Sequence, residues 1–478
     1  MAGRVLSVAS ECLGLIKTGG LADVVAALPA ALAGQGWRMR VLLPAYPGLA
    51  ARLDAAAEVW AEADLFGGPG RVLAGRAAGL DLLLLDAPHL YDRPGGPYAG
   101  PAGDHADNAE RFAALSWAAA ALARDGTADG WRPDILHAHD WQAGLAPAYL
   151  RYGPDTPVRS LFTIHNIAFQ GLAPAPKLAA LRLPAEAFHP EGLEYWGQLS
   201  ALKAGLVTAD AISTVSPTYA AELMRPEYGM GLEGVIARRA GVMHGILNGV
   251  DTALWNPETD PDIHPYTARK LQGKARNRLA LIEEFGLTEV PGPLAILVSR
   301  LTWQKGVDLI PAALGPFVEA GGGLAVLGSG DRDLETALQE AAARHPGRVS
   351  VRIGYDEALS HRMFAGGDAV LVPSRFEPCG LTQMYGLRYG AVPVVAGTGG
   401  LADTVIDASP AALVAEAATG IVFRPVDALG LDQALRRLVR LHADRRQWAA
   451  VRARGMKADF GWDRPAAAYA ALYAQLSS

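Results

Sequence analysis

What most limits the folds open to this chain is an alternation, repeated along most of its length, of short apolar runs with stretches of helical spacing. Residues 4–10, 39–44, 81–86, 134–140 and 160–165 are brief, apolar and bounded by turn residues, the mark of strands buried on both faces. Helical patterns lie between them. Leu21, Val24, Val25, Leu28, Ala31 and Leu32 recur at helical spacing with Gly34 closing the segment, and 109–123 repeats the pattern. Residues 196–224 read as a helix, a strand at 211–216, and a second helix opened by Ser216-Pro217, a serine cap followed by proline in the first turn. A strand at 244–250 ends this series. A second series follows, with strands at 294–300, 323–328, 349–354, 369–373 and 391–396 and helices between them. Strands that alternate with helices pair in parallel through right-handed crossovers. The expected fold class is therefore α/β, with two doubly wound domains.

Residues 251–265 interrupt the pattern with Trp, Asn, Pro, Asp and Thr, a connection with the character of a hinge. The expected division is a first domain over 1–250, a second over 251–456, and a C-terminal segment, 457–478. The last contains an Ala- and Tyr-rich helix at 462–476 that packs back on the first domain. Hydrophobic residues make up 50% of the chain and charged ones 19%, enough apolar material for sizeable cores. The 43 basic and 49 acidic side chains give a net charge of −6 with no basic block. That argues against nucleic acid as a partner and requires any anionic ligand to be met by locally placed cations. Two cysteines, Cys12 and Cys379, are too few for a disulfide framework or a Cys-rich metal site, and each reads as a buried thiol. The first apolar run ends at Glu11, too early for a signal peptide, and no run approaches the ~18 apolar residues of a membrane span. A cytosolic location without a membrane partner is expected.

The chemistry gathers where strands hand over to helices, the carboxyl ends at which doubly wound sheets bind ligands. Residues 370–390, VLVPSRFEPCGLTQMYGLRYG, run from a strand through a turn holding Arg375 and Glu377 to a helix begun by Gly380, Leu381 and Thr382. The free N–H groups and dipole of that helix start suit a phosphate, and the carboxylate suits sugar hydroxyls. The loop at 11–20 ends in Lys17-Thr18-Gly19-Gly20 at another helix start. Gly19 and Gly20 allow close backbone approach, and Lys17 adds a cation within reach of a phosphate. At 300–306, RLTWQKG sets Arg300 and Lys305 across a strand-to-helix turn, a pair of cations suited to a diphosphate. His137-Ala138-His139-Asp140 and His165-Asn166 close two further strands. Alternation sends His137 and His139 to one face and Asp140 to the other, which argues against zinc and for a structural His137. The hexapeptide TGGLAD occurs twice, at 18–23 and 398–403, each time opening a helix.

Taken in order, KTGGLADV, HAHDWQ, TIHNIAFQG, TVSPTYA, GILNGVD, SRLTWQKG, and SRFEPCGLTQMYGLRYG followed by TGGLADTV resemble the bacterial glycogen synthases and plant starch synthases over essentially the whole chain. The resemblance implies a GT-B-type fold, two Rossmann-like domains facing across a cleft. The implied reaction transfers glucose from ADP-glucose to the non-reducing end of an α-1,4-glucan such as glycogen, with retention and with no cofactor or metal. It implies Lys17 as a donor-binding lysine with Asp23 the acid of the same motif, and His165 on the sugar side. Asp140 is the aspartate of HAHDW, and Asn248 the asparagine of the LNG turn. Arg300 and Lys305 become the phosphate cations, Glu377 the glutamate that grips the donor sugar, and Gly380, Leu381 and Thr382 the helix start under the distal phosphate. Tyr355 corresponds to a residue stacked on the adenine. Two departures stand out. Related transferases often carry a second glutamate eight residues after the first, where this chain has Tyr385. In 11–15, ECLGL replaces the aromatic and proline usual before KTGG.

Three other readings compete. A sister transferase would use UDP-glucose or another acceptor. A phosphorylase would need a lysine holding a pyridoxal cofactor. A glycan-binding protein without catalysis would not need Lys17, Arg300 and Lys305 together.

Overall fold

The computed structural model describes residues 3–101, 103–288 and 290–478. The chain divides into two compact units, one comprising the sequence up to Gly249 together with Trp462–Ser478, the other Val250–Gly461.

The first unit is built on β1 (Gly3–Val8), β2 (Trp37–Pro44), β3 (Asp54–Glu62), β4 (Gly70–Ala77), β5 (Leu80–Asp86), β6 (Ile135–His139), β7 (Arg159–Ile164), β8 (Ala211–Thr214) and β9 (Met243–Gly245). Their order in the sheet is β9-β8-β7-β6-β1-β2-β5-β4-β3. Pairing is parallel from β9 to β5, and the β5-β4-β3 edge is antiparallel. The sequence pattern missed β3 and β4. Most of β3 is exposed and no helix separates these strands, so neither an apolar run nor a strand–helix alternation marks them. Helix α1 (Gly20–Ala33) buries Leu21, Val24, Val25, Leu28 and Leu32, and α2 (Asn108–Asp125) is buried along most of its length. The helix expected from residue 196 instead begins at Ala201, where Ser200 Oγ accepts from Lys203 N at 3.0 Å, and a hairpin of Glu194–Tyr195 with Gln198–Ser200 precedes it. The strand expected over 244–250 is shorter, so Asn248 lies beyond its end.

The second unit is a six-stranded parallel sheet of β10 (Leu294–Val298), β11 (Gly323–Gly328), β12 (Val349–Ile353), β13 (Ala369–Val372), β14 (Val392–Ala396) and β15 (Ile421–Phe423), in the order β12-β11-β10-β13-β14-β15. It carries α3 (Thr382–Tyr389) and α4 (Gly399–Thr404). Residues 251–265 are folded onto this unit and are not a free linker. Trp255 is stacked between His361, 3.9 Å away, and Tyr385, 3.7 Å away. The boundary expected after residue 456 falls inside the continuous helix Arg445–Lys457, so the return crossing lies at Gly461. Helix α5 (Asp463–Ser477) then belongs to the first unit. Tyr469, Leu472 and Tyr473 pack with Val5, Leu28, Trp37 and Ile135, and Tyr473 meets Trp37 edge-on at 5.2 Å.

Both sheets reverse their strand order at one place, between β1 and β6 in the first unit and between β10 and β13 in the second. Adjacent loops leave such a switch point in opposite directions and open a crevice at the carboxyl ends of the strands. Among the described residues no helix is long and apolar enough to cross a membrane.

Candidate active site

At the first switch point the loop after β1 is tied down by one buried carboxylate. Glu11 is 3% exposed. It accepts from the Thr18 backbone N–H, from Thr18 Oγ1 at 2.5 Å, from Gly19 N at 3.1 Å and from the Tyr98 hydroxyl. Burial, and then Glu11, push the Tyr98 phenol far above its ordinary value, so it serves as a donor. Glu11 thereby fixes the loop that carries Lys17 and Gly20 to the start of α1. Lys17 Nζ sits 2.9 Å from Asp23 Oδ1 across the first turn of that helix. A side chain built at Gly19 or Gly20 would meet nothing within 4 Å, so open space lies beside this turn. Sequence reasoning connected Glu11 only with contacts to the acceptor and did not single out Tyr98. Their contact spans 87 residues, which no local pattern reports.

Across the same switch point, Asp140 follows β6 with φ 54°, in the left-handed region. That turn swings its carboxylate onto the end of β7, where Oδ1 accepts from His165 N at 2.6 Å and Asn166 N at 3.3 Å. Burial raises the Asp140 carboxyl from 3.8 to about 7; the two backbone N–H groups oppose the rise and Glu11 adds to it. The imidazoles of His137 and His139 lie on one face, their ring centroids 4.0 Å apart. His137 Nδ1 meets the Tyr473 hydroxyl at 2.7 Å and its Nε2 meets Thr163 Oγ1 at 2.6 Å. Burial lowers His137 to about 3, so it is a neutral structural residue that links α5 to the sheet. His139 reaches His165 instead, Nδ1 to Nε2 at 3.0 Å.

In the second unit the pairing is tighter. Lys305 Nζ lies 2.9 and 2.6 Å from the two carboxylate oxygens of Glu377, and Ser374 Oγ donates to Oε2 at 2.8 Å. Glu377 is 7% exposed. A buried carboxylate is tolerated when fully paired, and a turn from Ser374 to Glu377 against a lysine from the neighbouring loop provides that pairing. Arg300, at the start of the loop that follows β10, is exposed and makes no ion pair with any described residue. Gly306 allows the lysine loop to close, since a side chain there would meet Pro373 O at 2.0 Å. The start of α3 is fixed by Gln383, fully buried, whose Nε2 donates to Cys379 O at 3.1 Å, Gly380 O at 2.7 Å and Thr404 Oγ1 at 3.0 Å. Gly380 has φ +70°, a conformation that favours glycine. Leu381 and Thr382 are part-exposed at this helix start. Ser374 and Gln383 are further residues that the sequence reading passed over.

The two TGGLAD copies differ in use. The first has open space beside its glycines. In the second, a side chain at Gly399 would meet Glu377 O at 2.0 Å, and Gly400 N donates to that same oxygen at 3.1 Å. The second copy is a backbone seat for Glu377. Tyr385, in place of a second glutamate, is packed on Trp255. Tyr355 is 72% exposed, an aromatic face open to solvent. Asn248 is 6% exposed and its Oδ1 has no partner among the described residues. Both cysteines are buried and neither is in a disulfide, and burial pushes the Cys12 thiol up to about 12. Asp260, Asp262 and His361 form the one group of metal-ligating side chains found among the described residues. Its buried members already bond one another, His361 Nδ1 to Asp260 Oδ2 at 2.7 Å with Tyr389 OH on the same oxygen at 2.5 Å.

Known proteins share this arrangement. The family described as starch synthase catalytic domain matches residues 4–238, and that described as glycosyl transferases group 1 matches residues 292–440. A glycogen synthase of Cereibacter sphaeroides is 67% identical over 99% of this chain and 98% of its own length. One from Paracoccus denitrificans is 60% identical over 99% of this chain and 100% of its own. Among solved structures, the catalytic domain of starch synthase IV from Arabidopsis thaliana, bound to ADP and acarbose, superposes with a TM-score of 0.88 at 33% identity, over 99% of each chain. A sucrose-phosphate synthase from Thermosynechococcus elongatus shares the fold at a TM-score of 0.62 and 19% identity. With near-complete coverage and identities this high, the chain belongs to the bacterial glycogen synthase family and is a glycosyltransferase of the GT-B type that serves glycogen synthesis.

Proposed function

We propose that the chain transfers glucose from ADP-glucose to the non-reducing end of an α-1,4-glucan, with retention at the anomeric carbon. The observation that carries this reading is the Lys305–Glu377–Ser374 cluster at the second switch point, next to the start of α3, with the unpaired Arg300 on the same loop as Lys305. Breaking the anomeric C–O bond leaves charge on the departing ADP and on an oxocarbenium-like sugar. Arg300, Lys305 and the N–H groups at Gly380, Leu381 and Thr382 stabilise the first. Glu377 grips the sugar hydroxyls, and Tyr355 offers its exposed ring to the adenine. Support for ADP as the leaving group comes from a relative solved with ADP bound.

On the first unit, Lys17 with Asp23 and Gly20 serves the donor, while Asp140, His165 and Asn248 serve the sugar and the acceptor. Glu377 and Asp140 are assigned to gripping, so neither is cast as a nucleophile under the anomeric carbon. Front-side attack is the reading adopted: the acceptor hydroxyl bonds to the anomeric carbon as the phosphate leaves, and its proton passes to that phosphate. The locally placed cations do the work that a bound divalent ion does elsewhere.

The test is transfer of radiolabelled glucose to glycogen from ADP-glucose and from UDP-glucose, each with and without EDTA. A higher kcat/KM with ADP-glucose, undiminished by EDTA, is expected. Equal or better transfer from UDP-glucose overturns the donor, and loss in EDTA restored by Mg²⁺ or Mn²⁺ overturns the cation assignment.

A further inference from the structure

Ser7, on β1, begins a buried polar chain that ends at His165. Ser7 Oγ lies 3.1 Å from His139 Nε2, and His139 Nδ1 lies 3.0 Å from His165 Nε2. Ser7 is 1% exposed and His139 fully buried, whereas His165 keeps a part-exposed edge. Among the described residues the Ser7 hydroxyl bonds only to His139, and His165 Nδ1 has no partner. His139 has little freedom to turn, because the His137 ring covers it and is itself pinned by Tyr473 and Thr163. Burial holds both His139 and His165 well below their ordinary values, so each ring carries a single proton at neutral pH.

Two proton arrangements satisfy the bond between the rings. In one, His139 carries its proton on Nε2 and donates to Ser7; the serine hydroxyl proton is then buried with no acceptor. An unmet buried donor is the costly fault in such a network. In the other, Ser7 donates to His139 Nε2, His139 donates from Nδ1 to His165 Nε2, and every buried proton is used. His165 must then carry its own proton on Nδ1, the nitrogen left open.

We infer that Ser7 and His139 are positioning residues that fix His165 with its proton on Nδ1, so that His165 meets its ligand as a hydrogen-bond donor. The inference rests on the reading of His165 as a sugar-side residue. It specifies that reading further: the ligand atom at His165 is an acceptor oxygen, of a hydroxyl or a phosphate, and His165 does not take the proton from the attacking hydroxyl.

The test uses the full chain labelled with ¹⁵N at histidine. Two-bond ¹H–¹⁵N correlation at neutral pH is expected to show a pyrrole-type Nδ1 and a pyridine-type Nε2 for both His139 and His165. A pyridine-type Nδ1 at His165, or a cationic ring at either position, overturns the inference. This readout does not depend on which sugar nucleotide is used, so it fails or stands separately from the proposed reaction. Kinetics then separate positioning from packing. His139→Leu is expected to lower kcat about tenfold with KM for the nucleotide sugar nearly unchanged, and His139→Asn, whose amide reaches the place of Nδ1, to recover most of the loss. Equal kcat losses in the two variants would reduce His139 to a packing residue.

Discussion

Asp140 offers the sharpest separation of stability from activity. Its carboxyl rises from 3.8 to about 7 on folding, chiefly through burial. The folded protein therefore holds this proton more tightly than the unfolded chain does. Stability falls as pH rises through the window from 3.8 to about 7 and is flat with respect to this group on either side. The ionisation penalty above that window is on the order of 4 kcal/mol. Asp140→Asn removes the charge while keeping an oxygen for His165 N and Asn166 N, and asparagine tolerates the left-handed φ of 54°. Allowing for a neutral amide being the weaker acceptor, a gain of about 2 kcal/mol is expected at pH 8, which for a unit of this size raises the melting temperature by about 4–8 °C. The gain should all but vanish at pH 5.5, where the wild-type penalty is about 2 kcal/mol smaller. Glucosyl transfer by the same variant should drop by a factor of about 100 or more, because the anionic grip is lost. Differential scanning calorimetry at the two pH values, beside initial rates with saturating glycogen, reads both quantities. A variant no more stable than wild type at pH 8, or one whose gain is the same at pH 5.5, would refute the electrostatic reasoning. Retained activity would refute the assigned role.

Glu377→Gln should lower kcat by about 100-fold or more and destabilise the second unit by about 1–3 kcal/mol, because Lys305 loses its charged partner; denaturation curves and initial rates check both. Glu11→Gln should free the loop that carries Lys17, since an amide cannot accept from all four donors at once; the expected sign is faster backbone hydrogen exchange at Thr18 and Gly19, and unchanged exchange would refute it. Tyr385→Glu should not create a second catalytic carboxylate. It sets a charge against Trp255 in a packed stack, so a stability loss of about 2–4 kcal/mol without a rate gain is expected in urea titrations and turnover assays. Deleting Trp462–Ser478 uncovers Val5, Leu28, Trp37 and Ile135, and the first unit should lose its cooperative thermal transition.

The amino-acid sequence determined what depends on neighbours along the chain. Strands such as β6 and β13 are short apolar runs in a helical background, so their parallel pairing follows from the alternation alone. The turns that carry Lys17, Asp140, Arg300, Lys305 and Glu377 lie directly after such strands, so their place at the carboxyl ends was legible too. What only the tertiary structure decided involves partners far apart in sequence. Glu11 became the anchor of its loop because Tyr98, 87 residues away, reaches it. Trp255, in a segment that reads as a hinge, became core because His361 and Tyr385 close on its two faces. The identical TGGLAD copies diverged because one lies beside open space and the other under the backbone of Glu377. Asp140 acquired its raised carboxyl, and His139 its tie to Ser7, from burial, a property of how sheets and helices stack that no stretch of letters encodes on its own.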